Sequence, residues 1–64
     1  MTLSVNGAPR ETAVATVGEL VEELGLQPKA VLVEHNGVAL RREEWSLPLN
    51  AADRIEIVRI VAGG

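Results

Sequence analysis

The sequence ends on two glycines, Gly63 and Gly64, behind the apolar run Ile60, Val61 and Ala62. Glycine has no Cβ, so a tail of this kind can enter a narrow slot and adopt φ/ψ values that other residues avoid. The chemical group it presents is a carboxylate with no side chain around it. A bare carboxylate is a poor electrophile, because hydroxide or oxide is a poor leaving group. Acyl chemistry at Gly64 would therefore need activation by something else. The plain alternative is a frayed terminus, since chain ends are often loose and small residues tolerate this.

Little else in the chain offers reaction chemistry. It has no cysteine, which removes disulfides, thiolate metal sites and a cysteine nucleophile. His35 is the single histidine; directly before a turn and without a paired carboxylate in sequence, it is expected to play a turn or surface role and not to act as base or metal ligand. Arg41 and Arg42 lack an accompanying glycine-rich loop, so they are expected to pair with Glu43 and Glu44 or to stay solvated, not to hold phosphate. No nucleophile–base pair, carboxylate pair or metal cluster can be assembled. A chain without catalytic residues, cofactor or metal of its own is expected.

A length of 64 residues allows one domain, 1–64, with a small core, because a domain of this size buries only about 60% of its unfolded surface. Six basic residues against nine acidic ones, a net charge of −3, leave no footprint for nucleic acid. No apolar stretch is long enough to span a membrane, and no secretory leader is visible. The expected location is cytoplasmic. Acidic residues gather at Glu19, Glu22 and Glu23 and again at Glu43 and Glu44, as a solvated helix face or as a match for a basic partner.

The element pattern must position the tail. Residues 2–5 alternate polar and apolar, and Asn6-Gly7 is a strong hairpin signal because both residues tolerate φ > 0. The return strand is expected over 10–14, with Pro9 at its start or edge. Thr16 and Glu19 form a capping box in which the Glu19 carboxylate reaches back to the Thr16 N–H. Val17, Leu20, Val21 and Leu24 recur on one helical face. Gly25 and Pro28 then end the helix, giving a span of 17–24 that needs a sheet beneath it. A dense apolar strand follows over 30–34, a second tight turn at Asn36-Gly37, a short edge strand over 38–40 and a polar helical turn over 41–45. Trp45 is expected either to cap the open end of the core or to anchor a partner. The last strand runs over 54–61, centrally and parallel to the first. This order predicts an α+β β-grasp, the ubiquitin-like architecture: a mixed four- or five-stranded sheet covered by one main helix.

With Ile55 and Ile57 turned inward, period-two geometry sends Val58 and Ile60 outward. Arg59, with Ile60, is placed on the exposed sheet face near the tail. Val58, Arg59, Ile60 and Val61 are the expected partner-binding residues, as a modest exposed patch. A bulge that returns Val58 and Ile60 to the core is the alternative.

The residues Val5-Asn6-Gly7, Thr16-Val17 with Leu20, Val33 through Asn36-Gly37, Arg42 to Trp45, Leu49 before Asp53, Ile55-Glu56-Ile57 and the terminal Val61-Ala62-Gly63-Gly64 carry a resemblance. Together they cover essentially the whole chain. They make it similar to the ubiquitin-like sulfur carrier family of thiamine thiazole biosynthesis. The resemblance implies a carrier that is not itself an enzyme. A ubiquitin-activating-type adenylyltransferase would adenylate Gly64 with ATP. A cysteine desulfurase or persulfide protein would supply sulfur and convert Gly64 to a thiocarboxylate, which would deliver sulfur to thiazole synthase. Gly63 and Ala62 would thread the partner's channel. A sulfur carrier for molybdopterin synthesis or tRNA thiolation is the related alternative, and a small protein-interaction domain the unrelated one. One departure is Ala52, where the family usually has glycine before the aspartate. Alanine disfavours a left-handed turn, so the departure bears on turn geometry and leaves the carrier role untouched.

Overall fold

The structure, a computed structural model, describes residues 1–61. Its first hairpin pairs strands β1 (Thr2–Val5) and β2 (Ala8–Glu11) in antiparallel register, with Val5 opposite Ala8. Only Asn6 and Gly7 lie between them, at φ 51 and 81. Positive φ at both central residues gives the backbone twist that a two-residue hairpin needs. The return strand therefore begins at Ala8, not at residue 10 as the sequence suggested. A two-residue loop sets the register at once, and Pro9 is accommodated because β2 is an edge strand.

Helix α1 (Val17–Glu23) starts where the Thr16 hydroxyl accepts from the Glu19 N–H at 3.2 Å. The reciprocal contact differs from expectation. The Glu19 carboxylate accepts from the Ala15 N–H at 3.2 Å and from the Thr16 hydroxyl at 3.3 Å, not from the Thr16 N–H. At the other end Gly25 (φ 72) donates to the Glu22 carbonyl, and Leu26 donates to the Val21 carbonyl. These two bonds form a Schellman closure, which glycine permits by entering the left-handed region. A 3-10 turn at Pro28–Ala30 then leads into β3 (Val31–His35). The turn Asn36-Gly37 (φ 50 and 85) connects β3 to the short β4 (Val38–Ala39). A second 3-10 turn, Arg42–Ser46, precedes the last strand β5 (Arg54–Arg59).

The five strands lie in the order β2-β1-β5-β3-β4. β5 is central, parallel to β1 and antiparallel to β3. One face carries α1. Leu3, Val17, Leu20, Val21, Val33 and Ile55 are almost fully shielded there, joined by Val31, Trp45, Leu49 and Ile57. Each such aliphatic side chain contributes roughly 1.5–3 kcal/mol on burial, which is what holds a seven-residue helix that would melt in isolation. Trp45 belongs to this core, and the Arg42 guanidinium stacks over its ring 4.6 Å from the centroid. Arg41 pairs with Glu43 and Glu44 as expected, whereas Arg42 turns to the aromatic face, where a cation is attracted by the ring quadrupole.

Two polar clusters tie loops to this frame. The buried Thr12 hydroxyl donates to Glu23 at 2.9 Å, and Arg10 pairs with the same carboxylate at 3.1 Å, joining β2 to the last turn of α1. Asp53 accepts from the Asn50 N–H, the Asn36 amide and the His35 ring. This cluster joins the β3–β4 turn to the turn that launches β5, and it gives His35 the structural turn role read from its position. In that launching turn Ala52 sits at φ 70. The left-handed geometry that alanine disfavours is kept.

Candidate functional site

The central strand carries the chain toward its C-terminus. β5 alternates as anticipated: Ile55 and Ile57 are buried, while Val58 (53% exposed) and Ile60 (49%) face outward. Arg59 departs from expectation. It shares the parity of Ile55 and Ile57, so it emerges on the helix side beside Leu24, Leu26 and Gln27, not on the outer sheet face with Ile60. It is exposed because the core ends at Ile57. Val61 is the most exposed large apolar residue of the described chain, at 85%. Ala62, Gly63 and Gly64, the expected channel and reactive residues, lie outside the described residues.

The outer face gains a member that reading β5 alone does not supply. Leu32 on β3 stands directly opposite Val58 and is 60% exposed. Leu32, Val58 and Ile60 thus form a contiguous apolar patch at the end of the sheet from which residues 62–64 continue. In sequence Leu32 is hidden in the run Val31-Leu32-Val33. The period-two rule, applied to two inward valines, is the signal that marks it as outward. Next along the same face Glu34 stands opposite Glu56. Like charges directly opposed across strands are mildly destabilising, so the fold gains nothing from this pair, and a basic group on a docking partner would relieve it.

No group of three or more His, Cys, Asp or Glu side chains among the described residues is arranged to hold a metal. No helix there is long and apolar enough to cross a membrane. The Asp53 carboxyl is altered by its surroundings. Burial pushes its carboxyl upward, but the Asn50 N–H, His35 and Asn36 outweigh that and leave it below the ordinary carboxylate range. This is a structural carboxylate at the start of β5, opposite in direction along the strand from residues 62–64.

Comparison with known proteins places this fold among its relatives. The ThiS family matches residues 3–64. The chain is 38% identical over 61 residues to the sulfur carrier protein ThiS of Thermus thermophilus, covering 94% of this chain and 95% of that one. It superposes on the crystal structure of the thiamine biosynthesis protein ThiS from Geobacter metallireducens with a TM-score of 0.81 at 35% identity, each chain covered completely. The solution structure of a thiamine biosynthesis protein from the same organism gives 0.80 at 33% identity, covering all of this chain and 88% of the other. The expected β-grasp and the resemblance read from the sequence are both met. With its five-stranded sheet and single main helix, the chain belongs to the ThiS family, the β-grasp sulfur carriers of thiamine biosynthesis, which are carriers and not enzymes.

Proposed function

We propose that this chain carries sulfur as a thiocarboxylate on Gly64 and delivers it for assembly of the thiamine thiazole in the cytoplasm. The observation that carries the reading is the family match running through residue 64. A ubiquitin-activating-type adenylyltransferase would join the Gly64 carboxylate to the α-phosphate of ATP, with pyrophosphate leaving. The resulting mixed anhydride has AMP as a good leaving group. Persulfide sulfur, supplied by a cysteine desulfurase or a persulfide-bearing protein, would displace AMP, and thiol cleavage of the S–S bond would leave the thiocarboxylate. That anion is a soft nucleophile suited to attack on an imine-linked intermediate held by thiazole synthase.

The body's contribution is docking and reach. Leu32, Val58 and Ile60 offer apolar area, and Glu34 with Glu56 favours a partner carrying basic residues nearby. Arg59 and Val61 would meet the mouth of the channel, and Ala62 and Gly63 would pass through it, because small residues let backbone approach closely.

Intact-mass analysis after incubation with ATP, the activating enzyme and a sulfur donor tests this reading. The expected result is a gain equal to one oxygen-to-sulfur exchange, absent when Gly64 is deleted. A demonstrably active enzyme system that leaves the mass unchanged would refute it.

A further inference from the structure

The central strand is paired unequally on its two sides. Toward β3 its ladder is complete: the Asn36 N–H donates to the Arg54 carbonyl at one end, and the Ile60 N–H donates to the Ala30 carbonyl at the other. Residues 54, 56, 58 and 60 point their backbone groups that way. Residues 55, 57 and 59 therefore point theirs toward β1.

On the β1 side pairing stops early. Ser4 and Val5 register with Arg54 and Ile55, and the Asn6 N–H donates to the Ile55 carbonyl. The chain then turns away at Asn6-Gly7. One more rung is made by a side chain: Asn6 Oδ1 accepts from the Ile57 N–H at 2.7 Å, and Asn6 Nδ2 donates to the Ile57 carbonyl at 3.3 Å. The carboxamide thus imitates a further strand residue.

Beyond that rung no described residue continues the ladder. Among the described residues no group bonds the Arg59 N–H or carbonyl. At the hairpin itself a Cβ built on Gly7 would meet nothing within 4 Å. Within β5, which ends at Arg59, this leaves the Arg59 N–H and carbonyl as the bare edge groups on the β1 side. A groove runs beside them, lined by Val5, Leu24, Leu26, Ile57 and Arg59. Arg59 has no ion-pair partner among the described residues. An unpaired edge of this kind is a template for strand addition.

We propose that an extended segment of the activating enzyme adds to this edge as a sixth strand, in line with β1 beyond the Asn6-Gly7 turn. Its backbone bonds the Arg59 N–H and carbonyl, an apolar side chain enters the groove against Leu24 and Leu26, and an acidic side chain meets Arg59. Main-chain pairing supplies affinity and direction, while the groove and the charge supply selectivity. Because the edge lies immediately before residues 62–64, strand addition sets the register in which the terminus enters the partner. The proposal rests on the carrier reading above.

The test uses the whole chain made by chemical ligation, with the Arg59 amide replaced by an ester. This removes an N–H that makes no bond within the described fold and weakens the Val58 carbonyl as an acceptor toward β3, so circular dichroism should match the wild type with at most a modest loss of stability. Affinity for the activating enzyme is expected to fall about tenfold, the effect of one interfacial hydrogen bond. Arg59→Glu should weaken binding at least as much. Hydrogen exchange of the unmodified chain should show the Arg59 amide protected only in the complex. Affinity of the ester within about twofold of wild type, with the Arg59 amide still exchanging freely, would overturn strand addition while leaving the carrier reading intact. An unmodified chain that does not bind the enzyme would remove both. An ester that abolishes concentration-dependent self-association but not enzyme binding would make the occupant a second copy of this chain, and the proposal would fall.

Discussion

Ala52→Gly should stabilise this protein. Ala52 occupies the left-handed region at φ 70, held there by bonds on both sides. Its N–H donates to the Thr2 carbonyl at 2.8 Å, and the Asp53 N–H donates to the Asn50 carbonyl at 3.1 Å. A Cβ in this region sits too close to the following carbonyl oxygen, at a cost of roughly 1–2 kcal/mol. Glycine removes that cost. It also frees the unfolded chain, which offsets about 0.4–1 kcal/mol. Ala52 is exposed, so little packing is lost with its methyl group. The net gain is about 0.5–1 kcal/mol, or about 2–8 °C in midpoint for a domain of this size. Urea unfolding at fixed pH reads it as a higher midpoint at unchanged slope. Gly25→Ala is the mirror experiment. Gly25 lies at φ 72 and its added Cβ would meet nothing within 4 Å, so only the conformational cost remains and stability should fall by about 1 kcal/mol. Equal or lower stability for Ala52→Gly, with Gly25→Ala behaving as stated, would refute the strain argument for this turn.

Asn6→Gly keeps a residue suited to φ 51 but deletes both side-chain bonds to Ile57. A loss of about 1 kcal/mol is expected in urea unfolding, because a part-buried rung of the β1–β5 ladder goes unmade. The Asp53 carboxyl, lowered in the folded state, contributes stability that is present above its unfolded value of about 3.9 and is lost as pH falls through its folded value. Asp53→Asn should therefore flatten the stability profile at the acid end, when unfolding midpoints are measured from neutral pH downward.

Much of this fold was legible because its instructions are local. Asn6-Gly7 and Asn36-Gly37 specify tight turns through their own tolerance of positive φ. Thr16 and Gly25 bracket the helix because capping involves residues three or four apart. The parity of Ile55 and Ile57 predicted that Val58 and Ile60 would lie outside. What was misjudged involved partners distant in sequence or a choice between two equivalent partners. Arg42 chose the Trp45 ring over a carboxylate, and Glu19 chose the Ala15 amide. Arg59 followed strand parity onto the helix side, a consequence of where the core stops.

By its residue types alone the chain declared a small acidic domain without cysteine, a helix needing a sheet, and the glycine pair Gly63-Gly64 as a candidate for chemistry. Those follow from composition and short-range pattern, which need no knowledge of which strands meet. Tertiary structure decided that Leu32 joins Val58 in one patch and that Asn6 completes a rung with Ile57, 51 positions away. It also decided that β1 ends before β5 does, leaving Arg59 without a backbone partner among the described residues. Register between distant strands is a property of the assembled sheet, because pairing is settled jointly by turn lengths, the buried face and the space each neighbour occupies.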